Sequence, residues 1–197
     1  VIAPRTVRNN CPDIPYWNGS PYGGSSPNDP RMGDCHHWFE TTMNPEMAKR
    51  ITPEEYDKVT SRFVSEFGYI GPCRKSTVVS YHGDVPPDRG GPVWALHNNT
   101  HEKDTVEAGI AMHYTGGGPI DLEQYLLYAG LCQGLMYQYS LESMRSKLYC
   151  SGGLFWMYND CWGETGWSVI DYELRRKLSY YYVKRAFAPI KYIVRAQ

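Results

Sequence analysis

The sequence predicts an α/β fold, half of a (β/α)8 barrel, from three observations. Short runs of β-forming residues bounded by turn residues recur along the chain. Helical signals fall between them, a start at Thr52-Pro53-Glu54-Glu55 and an apolar stripe beyond Asp121. The resulting order is strand, strand, helix, strand, long connection, helix, strand, helix, which implies parallel strands with crossover helices. About four strands can be counted, too few to close a barrel of eight.

The elements follow in order. Residues 1–33 are rich in Pro, Gly, Asn and Ser and read as loop, apart from a very short strand within Ile14–Pro21. Gly33-Asp34-Cys35-His36-His37-Trp38-Phe39 is a second short strand ending in polar and aromatic groups. Thr52 is placed as an N-cap, with Pro53 at the first helical position and Glu55 three residues after the cap. Arg62-Phe63-Val64-Ser65-Glu66-Phe67-Gly68 then reads as a short buried strand whose C-terminal end carries a carboxylate. From about Tyr69 to Pro119 the chain reads as one long connection, a length that is usually functional.

A long helix is expected from Asp121, burying Leu122, Tyr125, Leu126, Ala129, Cys132, Met136 and Tyr139. Gly152 to Tyr158 is an apolar strand closed by Asn159-Asp160-Cys161-Trp162, and Trp167 to Ile170 is a short extended piece. The last helix is expected over about Leu174 to Phe187, stopped by Pro189, with Ile190 to Val194 opening a further strand.

Composition narrows the function. The formal net charge of −1 gives no footprint for nucleic acid or an anionic membrane. No apolar run approaches the length of a membrane span, and the residues from Val1 do not resemble a signal peptide. The first residue is Val, so a processed or cut piece is expected. The six cysteines show no C-x-x-C spacing, so free thiols are expected rather than a zinc ribbon or a disulfide scaffold. Compartment stays open. The tripeptide Asn98-Asn99-Thr100 matches a glycosylation acceptor, relevant only if the chain is secreted.

Glu66 is the residue that points to chemistry. A carboxylate closing a buried strand is costly to desolvate, and the C-terminal ends of barrel strands are where catalysis happens. The alternative is a strand-end Glu paired with a surface Arg, and the stretch alone leaves both open. Arg62, four residues away, lies too far along the strand for direct pairing. His97 and His101, with Glu102, have a spacing that holds zinc on a helix, but the surrounding Asn and Thr residues read as loop. No metal or cofactor is expected.

Several blocks together resemble the β-mannosidases of glycoside hydrolase family two. Arg62 to Gly68 resembles the nucleophile strand. Phe155-Trp156-Met157-Tyr158-Asn159-Asp160-Cys161-Trp162 with Trp167 to Tyr172 is similar to the last barrel strand and the segment after it. Tyr16 to Gly24 is similar to the fifth strand and its loop, Gly33 to Trp38 to the sixth, and Lys184 to Pro189 to the exit into a β-sandwich domain. The family commonly has Tyr where His37 stands and Pro where Gly163 follows Trp162.

The resemblance implies residues 1–189 as part of a barrel and 190–197 as the start of a β-sandwich. It implies a retaining exo-glycosidase acting on β-mannosides or manno-oligosaccharides, with Glu66 as nucleophile. Trp156 becomes the aromatic platform under the terminal sugar. His37 and Trp38 become substrate-side groups, His37 hydrogen-bonding the nucleophile or a hydroxyl. Asp160 and Trp162 become loop-fixing residues, Asp160 also a candidate sugar contact. The family's acid/base Glu follows an Asn, and no Asn-Glu pair occurs here. It is expected upstream, in an absent N-terminal half, so the chain alone is expected to be inactive. The alternatives are a family-two enzyme of other specificity (β-glucosaminidase, endo-β-mannosidase or β-galactosidase) and a non-catalytic carbohydrate-binding fragment.

Overall fold

The computed structural model describes residues 2–26, 28–98 and 103–194. Its sheet is small. Strands β1 (Cys35–His36) and β2 (Val64–Glu66) pair in parallel. A third extended segment continues the pattern beside β2. Val64 N donates to Gly152 O (3.0 Å), Leu154 N to Val64 O (2.8 Å) and Trp156 N to Phe67 O (2.8 Å). Val64 and Gly153 form a parallel bridge there.

The parallel direction and the helical crossovers match expectation, but the strand count does not. Among the described residues two strands form where about four were expected. Gly152 and Gly153 supply no side chains to lock the third segment into a longer ladder. In the 14–21 stretch, Pro15 and Pro21 lack the N–H a ladder needs. Side chains anchor that stretch instead: the Trp17 indole and the Ser20 hydroxyl both donate to Asp34.

The pairing of β1 with β2 is irregular. Cys35 stands opposite Val64 and His36 opposite Glu66, so one step on β1 matches two on β2. Ser65 is the extra residue of a bulge, a device that re-aims the side chains beside it.

The helices also depart from the reading. Residues 1–33 are not all loop: α1 (Ile2–Asn10) occupies the start, with Pro4 in the first turn, where its missing N–H costs nothing. None of its residues is buried, so no core-facing stripe announces it. Helix α2 (Met47–Ile51) precedes a 3-10 helix over Pro53–Lys58. Thr52 does not cap that helix with its side chain; its hydroxyl donates back to Ala48 O (2.7 Å).

The supposed long connection contains α3 (Lys75–His82), α4 (Pro92–His97) and α5 (Lys103–Ile110), the last running into a π-helical turn at Ala111–Thr115. Each is too short for an apolar period to repeat visibly. They nevertheless deliver Val78, Trp94, Val106 and Ile110 to the core. Asn99, Thr100, His101 and Glu102 lie outside the described residues.

Helix α6 (Leu122–Ser146) is the long helix expected. A capping box starts it, with Gln124 N donating to Asp121 Oδ1 (2.8 Å) and Asp121 N to Gln124 Oε1 (3.1 Å). Tyr125, Ala129, Cys132 and Met136 are buried, and Leu122, Leu126 and Tyr139 pack partly buried against them. Helix α7 (Leu178–Ala186) crosses α6 closely because of two glycines. A Cβ at Gly134 would lie 2.5 Å from the Tyr182 ring, and one at Gly130 3.0 Å from Leu178.

Helix α7 starts four residues later than Leu174, which has φ +60° in a turn built by Asp171. The Asp171 carboxylate accepts from the amides of Glu173 (3.2 Å) and Arg175 (2.9 Å). Residues 190–194 form no strand and are mostly exposed. All six cysteines are free thiols. Among the described residues no helix is long and apolar enough to cross a membrane.

Candidate active site

Glu66 ends β2, and the bulge at Ser65 turns it toward the end of β1. Its Oε2 accepts a hydrogen bond from Trp38 Nε1 (3.0 Å) and lies 3.3 Å from His36 Nδ1. The indole N–H can only donate, so in this contact the carboxylate oxygen is the acceptor. The Glu66 side chain keeps 28% of its exposure, open enough to meet a ligand.

The ring that faces Glu66 is that of His36, not of His37. Regular pairing would set His36 against Ser65, but the bulge sets it against Glu66. The His37 backbone amide donates to Glu66 O (2.7 Å), while its ring is turned into the core. There it lies 3.6 Å from Glu40 and 5.6 Å, centroid to centroid, from Tyr56. Burial holds the His37 pKa below 6.5, against the pull of Glu40. The nitrogen facing the carboxylate therefore belongs to the neighbouring histidine.

Aromatic groups gather around Gly68. A Cβ on that glycine would lie 2.5 Å from Trp156 O, 3.0 Å from the Trp38 ring and 3.1 Å from Tyr137 Oη. Trp38 also meets Trp167 edge to face, centroids 5.0 Å apart. The Trp156 side chain remains 46% exposed, and the peptide joining it to Met157 is cis. From α6, the Tyr137 hydroxyl donates to Trp156 O (2.7 Å) and Trp167 O (2.6 Å), tying the two tryptophan segments together. Trp38 thus stands against the Glu66 carboxylate, while the Trp156 backbone packs beside Gly68, two residues further on. Tyr137 and Trp167 went unnoticed in the sequence because only the fold brings them there.

Asp160 is elsewhere. It is buried, and its Oδ2 accepts from Ser168 Oγ (2.6 Å). Burial pushes its pKa up, partly offset by Lys177. Asp160 is only 3% exposed and its carboxylate faces Ser168 across the loop. Lys177 is itself buried, donating to Gly71 O (2.7 Å) and Gly166 O (3.2 Å). Trp162 stacks on His97 (4.2 Å, 5°), which stacks in turn on Tyr81 (4.1 Å, 9°). That pile anchors the 159–166 loop to α3 and α4. Among the described residues no cluster of three His, Cys, Asp or Glu side chains could hold a metal.

One polar arrangement was not foreseen. Asp34, buried just before β1, accepts from Trp17 Nε1 (2.8 Å), Ser20 Oγ (2.6 Å) and Tyr22 N (2.8 Å). Burial raises its pKa, but hydrogen bonds from Ser20, Trp17 and Tyr22 outweigh it and bring it down to about 2. Ser20 Oγ also lies 3.3 Å from His36 Nε2.

Comparison with known proteins shows what the chain is similar to. No family model matches the chain. The structure superposes on a crystal structure of β-D-mannosidase from Dictyoglomus thermophilum with a TM-score of 0.78 and 32% identity, covering 94% of this chain and 22% of that one. The chain is 33% identical to Beta-mannosidase B of Thermothelomyces thermophilus, covering 91% of this chain and 22% of the relative. It is 30% identical to Beta-mannosidase B of Emericella nidulans over all of this chain and 23% of the relative.

These relatives are glycoside hydrolases, and the chain is homologous to them throughout. More particularly, it corresponds to one segment of the β-mannosidases, spanning about a fifth of their length.

Proposed function

We propose that the chain is the C-terminal half of the (β/α)8 catalytic domain of a retaining, exo-acting β-mannosidase. The observation that carries this is the Glu66 carboxylate at the end of β2, its Oε2 accepting a hydrogen bond from Trp38, with the half-exposed Trp156 on the segment that pairs beside β2. With Oε2 engaged by donors, Oε1 is the oxygen that attacks the anomeric carbon. Trp38 steadies the charge before attack, and a glycosyl ester on Glu66 is the intermediate. Trp156 supplies an apolar face for the C–H side of the terminal sugar.

The partner carboxyl group must lie about 5–5.5 Å from Glu66 in a retaining site. Asp160 is buried against Ser168, so the acid/base comes from another part of the whole protein. Half a barrel also accounts for an apolar groove of about 650 Å³ lined by Trp17, Asp34, Phe63, Ser65 and Leu154. The remaining strands would close over it. Ile190, Tyr192 and Val194, exposed at a spacing of two, suit the first strand of a following sandwich domain.

The test is hydrolysis of a panel of aryl β-glycosides by the full-length protein and by Glu66→Gln. Selective release from the β-mannoside, falling by about 10⁴-fold or more in the variant, is expected. Preference for the β-galactoside or β-glucosaminide would replace the substrate, and full activity in Glu66→Gln would remove the nucleophile.

A further inference from the structure

The contacts around Glu66 continue away from the sugar site in an unbroken line, and we infer that Asp34, Ser20 and His36 form a positioning relay that orients the Glu66 carboxylate. The line runs from Asp34 Oδ2 to Ser20 Oγ (2.6 Å), from Ser20 Oγ to His36 Nε2 (3.3 Å), and from His36 Nδ1 to Glu66 Oε2 (3.3 Å). Trp38 holds the same oxygen from a second direction at 3.0 Å.

Each contact limits the next. Asp34 is a buried carboxylate that takes three hydrogen bonds and stays ionised. Ser20 has a single hydroxyl proton, and the short contact commits it to Asp34. Its oxygen therefore presents a lone pair toward His36 Nε2. The Glu66 carboxylate presents an acceptor toward Nδ1 from the other side. An acceptor on each side fixes the imidazole plane, and a fixed plane fixes where Oε2 sits. Oε1 is then presented in one orientation.

Three chain segments build the relay: the 17–22 loop, β1 and β2. The bulge at Ser65 is required, because regular pairing would put His36 opposite Ser65. His36 meets Glu66 directly, and Ser20 and Asp34 act only through His36. This inference rests on the glycosidase reading for its kinetic consequence, whereas its geometric consequence stands without it.

The experiment has two readouts on the full-length protein carrying Ser20→Ala, Ser20→Thr, His36→Gln or both Ser20→Ala and His36→Gln. The first is inactivation by 2-deoxy-2-fluoro-β-mannosyl fluoride, which separates the binding constant from the rate of attack. Ser20→Ala should slow attack about 10-fold and His36→Gln by about 10- to 100-fold, with binding nearly unchanged. Ser20→Thr, which keeps the hydroxyl, should restore the wild-type rate. The double variant should be no slower than His36→Gln, because Ser20 acts through His36.

The second readout is a crystal structure of Ser20→Ala, in which the His36 ring should leave its position beside Glu66 Oε2. Wild-type attack rates in Ser20→Ala, independent effects in the double variant, or an unmoved ring would overturn the relay. A wild-type protein that is never labelled would defeat the glycosidase reading instead, and the ring position in Ser20→Ala would still decide the relay.

Discussion

Replacing Tyr137 by Phe isolates the link between the helical layer and the candidate site. The side chain is buried, and burial holds the phenol well above its ordinary pKa, so it serves as a donor. Its one proton is shared by Trp156 O and Trp167 O. Removing the hydroxyl leaves the ring's packing intact, so the cavity contribution is small. Trp167 O keeps Met157 N (3.3 Å) and Gln133 Nε2 (3.4 Å) as donors. Among the described residues Trp156 O has no second donor, so one buried carbonyl is orphaned. That costs about 1–3 kcal/mol, with about 2 kcal/mol as the central value.

In urea, with a slope of about 2 kcal/mol per molar, the midpoint should fall by about 1 M at constant slope. Tyr139→Phe is the control. Its hydroxyl donates to Asp57 at an exposed position where water substitutes, so the shift should be well under half as large. A Tyr137→Phe midpoint within about 0.2 M of wild type would refute the reasoning, because it would mean the Trp156 carbonyl had found another donor.

Four further outcomes are expected. Gly68→Ala should destabilise by about 2 kcal/mol or more and lower activity, since the new methyl meets Trp156 O, a backbone atom, at 2.5 Å; thermal melting and turnover check it. Lys177→Met should cost about 3–5 kcal/mol in denaturant unfolding by leaving Asp160, Glu164 and Asp171 without their buried cation.

His37→Gln should flatten the acid side of the stability curve. Burial depresses the folded pKa of His37 below 6.5, so the unfolded chain takes the proton first, and stability is lost as pH falls below 6.5. Equal losses in variant and wild type, read as urea midpoints above and below that pH, would exclude this source. Trp156→Ala should raise KM for an aryl β-mannoside about 10-fold or more by removing the exposed platform, and an unchanged KM would displace the sugar to another surface.

The sequence made some parts of this molecule legible and hid others for physical reasons. Helix α6 was readable because twenty-five residues repeat their apolar face many times. Helices α3, α4 and α5 run only six to eight residues, so no period could develop. Glu66 stood out because a carboxylate closes a short β-forming run, and Trp38 through the resemblance of its strand to the family's sixth. The choice between His36 and His37 was beyond alternation rules, since a single extra residue, Ser65, shifts the facing side chain by one.

Tyr137 and Gln133 were invisible as site residues. They lie on the buried face of α6 and act through carbonyls more than fifteen residues away in sequence. Asp160 looked like a site residue from its place after the Trp156 strand, yet the return of Ser168 encloses it.

The most direct test of the central claim is to treat the full-length protein with 2-deoxy-2-fluoro-β-mannosyl fluoride, digest it and map the label. Fluoride departs without needing a proton, so the reagent interrogates the nucleophile separately from the acid. The account predicts a single fluoromannosyl ester on the peptide containing Glu66, absent in Glu66→Gln. A label on a different carboxylate, or an active enzyme with Glu66 unlabelled, would contradict it.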